Sequence, residues 1–175
     1  MYLIISKKIN SVDNYILFFI RKYLKNKYLD ILMPFTTRLG NLGFIWIVMA
    51  IILMLDKPYR AIGNSVILTL LLGTAMGEGI VKHVVRRVRP CKYKSYNLLI
   101  EMPITYSFPS GHALSSFAVA EVLSMSFGQY KFIFMGIAFL IAFSRLYLDV
   151  HYPTDVIAGI IIGILCSKLI FIILK

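Results

Sequence analysis

Cysteine, tryptophan and acidic side chains are scarce in this chain, which has 2 Cys, 1 Trp and 8 Asp and Glu among 175 residues. Two cysteines build no disulfide framework. Cys91 falls in a polar stretch, while Cys166 lies well down the final apolar run, roughly 20 Å away at about 1.5 Å per helical residue, so no bridge between them is expected. Neither pairs with a histidine at metal-ligand spacing, and no metal or other cofactor is expected. Secretory-leader order is also missing: Met1–Asn10 puts Lys7 and Lys8 after its few apolar residues, the reverse of a basic start followed by an apolar core, so no cleaved signal is expected. Charge of either sign is thin, at 15% of residues.

Apolar residues fill the gap. They make up 59% of the chain and raise the mean hydropathy to +0.78, which excludes a soluble domain of this size. The expected fold class is all-α, a polytopic transmembrane helical bundle forming one integral-membrane domain over residues 1–175. Five runs are long enough to span or nearly span a hydrocarbon core of ~30 Å: 41–56, 61–81, 111–128, 131–148 and 153–174. A sixth, near 12–35, is interrupted by Arg21, Lys22, Lys25, Lys27, Asp30 and Pro34. It reads as a short span followed by an in-plane amphipathic piece.

Nineteen Lys and Arg give a formal charge of +11, concentrated at 21–27 and 82–94. Basic groups beside apolar runs mark orientation or contact with anionic headgroups, so the partners expected are membrane lipids and not nucleic acid. That account suffices for 21–27. In 82–94 the spacing asks for more. If the helix runs on to Pro90, Lys82, Arg86 and Arg89 share one face, with Glu78 one turn before Lys82, while His83 and Arg87 point elsewhere. Stacked cations near hydrocarbon repel one another and lose hydration, so an anion must compensate them, and a phosphate group fits.

Two further clusters follow. After a polar loop over 91–108, containing Lys94 and long enough to be a partial lid, comes Pro109-Ser110-Gly111-His112. Here Ser110 is a natural N-cap, Gly111 leaves the backbone open to a ligand, and His112 stands in the first turn of a helix whose N-terminus suits phosphate. Glu121, lower on that helix, is read as structural support. The stretch Ser144–Asp155 then puts Arg145, His151 and Asp155 together. Pro153 starts a helix, leaving His151 outside it and Asp155 in its first turn, able to turn back to His151 and fix its tautomer. Each successive span reverses direction, so all three clusters emerge on one face of the membrane.

Lys82 with Arg89-Pro90 six residues on, Pro109-Ser110-Gly111-His112, and Ser144-Arg145 with His151 and Asp155 resemble, in order and spacing, the three-part signature of the type 2 phosphatidic acid phosphatase (PAP2) family. The likeness covers about 155–160 residues if the preceding spans are counted. It implies a bundle of up to six spans and a metal-independent lipid phosphatase working through a phosphohistidine. On that resemblance His151 is the nucleophile and Asp155 orients it. His112 is the acid that protonates the leaving oxygen and then the base that activates water. Lys82, Arg89, Arg145, the Ser110 hydroxyl and the Gly111 N–H hold the phosphoryl oxygens. The same residues also resemble the vanadate site of vanadium haloperoxidases, larger soluble enzymes from which the apolar spans set this chain apart. Among lipids the resemblance points first to undecaprenyl pyrophosphate, with phosphatidylglycerophosphate, phosphatidic acid and lipid A open. It places the site on the extracytoplasmic face of the cell membrane and leaves the oligomeric state open. A non-enzymatic alternative is a membrane protein that binds anionic lipids in a cationic pocket and needs no nucleophile.

Overall fold

Apolar runs punctuated by Gly, Pro and polar clusters fold into helices joined by tight turns, and the computed structural model describes residues 2–93 and 98–174. In chain order these are α1 (Tyr2–Phe19), extended by a wide π-helical turn at Ile20–Leu24, α2 (Lys27–Leu39), α3 (Phe44–Leu55), α4 (Arg60–Thr74), a second π-helical turn at Ala75–Val81, α5 (Lys82–Val85), α6 (Gly111–Ser126), α7 (Lys131–Tyr147) and α8 (Pro153–Ile173). No strand occurs among the described residues.

Helix α6 is the axis of the bundle, packed against α4, α7 and α8. Its contact with α8 is close because α8 presents glycines to it. A Cβ on Gly159 would lie 2.5 Å from the Ser110 carbonyl oxygen, and one on Gly163 would lie 2.4 Å from that of Leu114. Both numbers climb together along the two helices, so α6 and α8 run parallel and begin at the same end. Backbone cannot recede from a new methyl as a side chain can. Gly163→Ala is therefore expected to destabilise the protein by about 1–3 kcal/mol, read as thermal unfolding in detergent. Gly136→Ala, inside α7 and with nothing among the described residues within 4 Å of the added atom, should not lower the unfolding temperature.

Three helical stretches are long and apolar enough to cross a membrane: Lys57–Val85, Gly128–Tyr147 and Pro153–Ile173. They correspond to the expected spans at 61–81, 131–148 and 153–174. The pair α2 and α3, bent by 49° at Gly40–Gly43, makes a fourth if taken as one span. The remaining expectations differ for physical reasons. The 41–56 run yields a 12-residue α3, about 18 Å long, which cannot cross alone. The 111–128 run yields a 16-residue α6, shorter than a span but largely enclosed by its neighbours. The 12–35 segment is cut in two at Lys25-Asn26, where Asn26 caps α2 by accepting from the N–H groups of Tyr28 and Leu29.

The scarce acids clamp the N-terminal helices to the stretch 147–155. Asp13 accepts from Thr154, Arg21 pairs with Asp149 at 3.0 Å, and Asp30 accepts from the Tyr147 hydroxyl at 2.6 Å. Cys91 and Cys166 are free thiols.

Candidate active site

The first basic cluster departs from the expected helical face. The helix stops at Val85 because Arg86 takes a left-handed conformation, with φ of 50°, and its side chain returns to the His83 carbonyl, away from Lys82. Arg89 still reaches the site, carried there by an extended segment and not by a third helical turn. Its guanidinium donates to the Thr105 carbonyl and hydroxyl, to the Val150 carbonyl, and at 2.9 Å to Nε2 of His151. Lys82 meets both Glu78 oxygens, at 2.6 and 2.7 Å, as the four-residue spacing requires. Arg87 points away from this group, but toward a purpose of its own: it binds Asp13 and Asp155 at 2.6 and 2.8 Å.

Ser110 is the N-cap of α6, its Oγ accepting from the Ala113 N–H at 3.5 Å, and its own N–H donates to the Asp155 carbonyl. It is buried and does not line the cavity described below. Gly111 does. Its open side is filled by the Glu78 carboxylate, whose Oε1 lies 2.4 Å from where a Cβ would stand. The wide turn Ala75–Val81, which carries Glu78, thus delivers an anion to the start of α6, where helix N–H groups favour one. His112 meets Asn41 through Nε2, 2.9 Å from Oδ1.

Arg145 is buried in the last turn of α7, with Nη1 donating to the Thr37 hydroxyl and its Nε buried without a partner among the described residues. His151 stands just before α8, with Pro153 in the first helical position, as the sequence predicts. Arginine can only donate, so the Arg89 contact requires Nε2 of His151 to carry the lone pair and Nδ1 the proton. Nδ1 faces Asp155 Oδ2 at 3.6 Å, too long for the hydrogen bond expected between them. The carboxylate is held elsewhere: Oδ2 accepts from the Ser107 hydroxyl at 2.5 Å and the Tyr152 N–H at 2.9 Å, and Oδ1 accepts from Arg87. Burial drives the His151 pKa down to about 3, with Asp155 opposing and the Arg89 and Arg145 cations adding to the fall. The imidazole is therefore neutral, with its basic nitrogen turned toward cations.

Lys82, Arg89, Gly111, His112, Arg145 and His151 line one cavity of about 880 Å³, shared with Thr37, Arg38, the turn Gly40–Gly43 and Ile100–Thr105 of the expected lid. Lys94, the other lid residue singled out, lies outside the described residues. No group of three His, Cys, Asp or Glu able to hold a metal ion occurs among the described residues, and Glu121 has no hydrogen-bond partner among them. Thr37, Asn41, Thr105 and Ser107 gave no signal in the sequence, since lone hydroxyls and amides outside the motifs, even Ser107 two residues before Pro109, carry no diagnostic spacing. Asp13 and Arg87 left a faint one, as ionisable groups beside apolar runs. A neutral imidazole whose lone pair is held by Arg89, in a cavity shared with Lys82, Arg145 and a second imidazole, can attack a tetrahedral anion and have its leaving group protonated.

Comparison with known proteins gives the same direction. The family profile described as "PAP2 superfamily" matches residues 59–175. The undecaprenyl-diphosphatase of Sulfolobus acidocaldarius is 34% identical over 150 residues, 84% of this chain and 71% of the relative. Phosphatidylglycerophosphatase B of Bacillus subtilis is 28% identical over 159 residues, 84% of this chain and 76% of the relative. The crystal structure of Aquifex aeolicus LpxE superposes with a TM-score of 0.78 at 29% identity, covering 90% of this chain and 93% of that one.

Proposed function

The chain belongs to the PAP2 superfamily of phosphatases, and we propose that it removes the terminal phosphate of undecaprenyl diphosphate through a phosphohistidine on His151. The observation that carries this reading is the state of His151: buried, neutral, and presenting Nε2 to the cationic cavity. As the phosphate enters, Arg89 Nη1 transfers from the Nε2 lone pair to a phosphoryl oxygen, freeing that pair to attack phosphorus. Lys82, Arg145 and the Gly111 N–H take the remaining oxygens, and the Glu78 carboxylate is displaced from Gly111. His112 protonates the departing oxygen and then withdraws a proton from water. Asp155, fixed by Arg87, Ser107 and the Tyr152 N–H, stabilises the positive charge on His151 through space. The Ser110 hydroxyl serves the α6 cap and reaches the phosphate only through the backbone it holds.

The bent pair α2–α3, then α4 with α5, α6, α7 and α8 make five crossings, with the cavity at the extracytoplasmic end. Phosphatidylglycerophosphate is the second reading, favoured by the Bacillus subtilis relative. The test is phosphate release by purified protein in detergent with a chelator present. Undecaprenyl diphosphate should exceed phosphatidylglycerophosphate, phosphatidic acid and lipid A in kcat/KM by at least about tenfold, a margin of one good contact. Intact cells should also hydrolyse a short-chain diphosphate added outside. The reverse substrate order, or activity lost with the chelator, would sink the reading.

A further inference from the structure

Arg38 stands on the last turn of α2, exposed on the wall of the cavity that holds His112 and His151. The other cations there are engaged: Lys82 with Glu78, Arg89 with His151, Thr105 and Val150, Arg145 with Thr37. Arg38 alone among them has no hydrogen-bond or ion-pair partner among the described residues. The residues that follow it fix its side of the cavity. A Cβ on Gly40 would lie 2.8 Å from Cδ2 of His112, and Asn41 Oδ1 is 2.9 Å from His112 Nε2. The end of α2 therefore abuts His112, the imidazole assigned to the leaving group.

What departs past His112 depends on the substrate. From a phosphomonoester the leaving group is an alcohol, neutral once protonated, and an uncommitted guanidinium beside it has nothing to hold. From a diphosphate it is a second phosphate, already anionic and gaining charge as the bridging P–O bond breaks. A guanidinium matches two of its oxygens at once. We infer that Arg38 is a specificity-determining residue that binds the lipid-proximal phosphate of a diphosphate substrate.

In the first step His151 Nε2 bonds to the terminal phosphorus as the bridging P–O bond breaks. The His112 proton goes to the bridging oxygen, and the lipid monophosphate leaves from Arg38. Water then adds to the phosphohistidine, releasing inorganic phosphate and restoring His151.

The inference rests on the proposed function, and the experiment separates the two. Purified full-length protein is assayed for phosphate release from farnesyl diphosphate and farnesyl monophosphate, which share one tail. Arg38→Ala is expected to lower kcat/KM for the diphosphate about 10- to 100-fold, the loss of a hydrogen bond to a charged group, and that for the monophosphate less than about 3-fold. Arg38→Lys should recover part of the diphosphate rate, and the exposed position should leave thermal unfolding unchanged. Equal losses on both substrates, or no loss on either, would overturn it by making Arg38 a general contact for anions or lipid headgroups. Wild-type protein that releases phosphate from neither would instead fell the phosphatase reading itself.

Discussion

His151→Ala is expected to lower phosphate release by at least about 10⁴-fold on every substrate, whereas His112→Ala loses about 10²–10⁴-fold on lipid substrates and, on an aryl phosphate, keeps the release of the phenol in the first step while losing hydrolysis of the phosphohistidine. The asymmetry follows from the two environments. His151 has its lone pair fixed by Arg89 and is the nucleophile of the proposed chemistry. His112 contributes a proton, which a phenolate leaving group does not need. Acid quenching should trap labelled protein in wild type and none in His151→Ala. Full activity in that variant would remove the proposed chemistry.

A pH signature accompanies this result. The His151 pKa lies near 3, against an ordinary value of 6.5. Between those limits the unfolded chain takes up a proton that the folded chain refuses, so stability falls as pH drops below about 6.5. The slope is about 1.4 kcal/mol per pH unit. His151→Asn should flatten that acid limb of thermal stability, and an unchanged limb would count against the buried neutral imidazole.

Arg87→Met is expected to destabilise the fold by about 3–5 kcal/mol, because it strands two buried carboxylates. Asp13 and Asp155 are each 0% exposed, and Arg87 serves both through different nitrogens while lying 4.0 Å over the Tyr152 ring. Burial alone would lower the Arg87 pKa, but Asp13 and Asp155 outweigh it and raise the value, so the cation persists at any working pH. Unfolding in detergent should move down by about 6–20 °C. Adding Asp13→Asn to Arg87→Met removes one uncompensated charge and should recover part of the loss. Arg87→Lys restores the charge without the fork, so its recovery should be incomplete. A shift of less than about 2 °C in Arg87→Met would mark the pair as a surface contact of little worth.

What the sequence made legible was local. Pro153 in the first position of α8, Asp155 in its first turn, Ser110 capping α6 and the Glu78–Lys82 pair all follow from spacings of four residues or fewer. The convergence of the clusters followed from counting reversals of direction. What stayed hidden was set by distant residues. The helix ends at Val85 because Arg87 is needed by Asp13 and Asp155, and because its carbonyl accepts from the Ser107 N–H at 2.7 Å. Nothing in Val-Val-Arg-Arg-Val-Arg announces that turn. Asp155 does turn back to His151 but stands off at 3.6 Å, because Ser107, 48 positions away, shares the oxygen that faces the imidazole. The runs at 41–56 and 111–128 gave less than a full span each, because turns at 40–43 and 127–130 and the capped start at Ser110 trim α3 to 12 residues and α6 to 16.

The parallel start of α6 and α8 also shapes the electric field of the bundle. Each helix carries roughly half a positive charge at its beginning and half a negative charge at its end. Two beginnings, of α6 and α8, and two endings, of α5 and α7, meet around the cavity, and on their own they would nearly cancel. Lys82 and Arg145 sit in the final turns of the two ending helices and mask their negative poles. The positive poles of α6 and α8 are occupied by carboxylates of the protein itself, Glu78 at Gly111 and Asp155 in the first turn of α8, so an arriving anion wins the α6 pole by displacing Glu78 and inherits a place already shaped for negative charge.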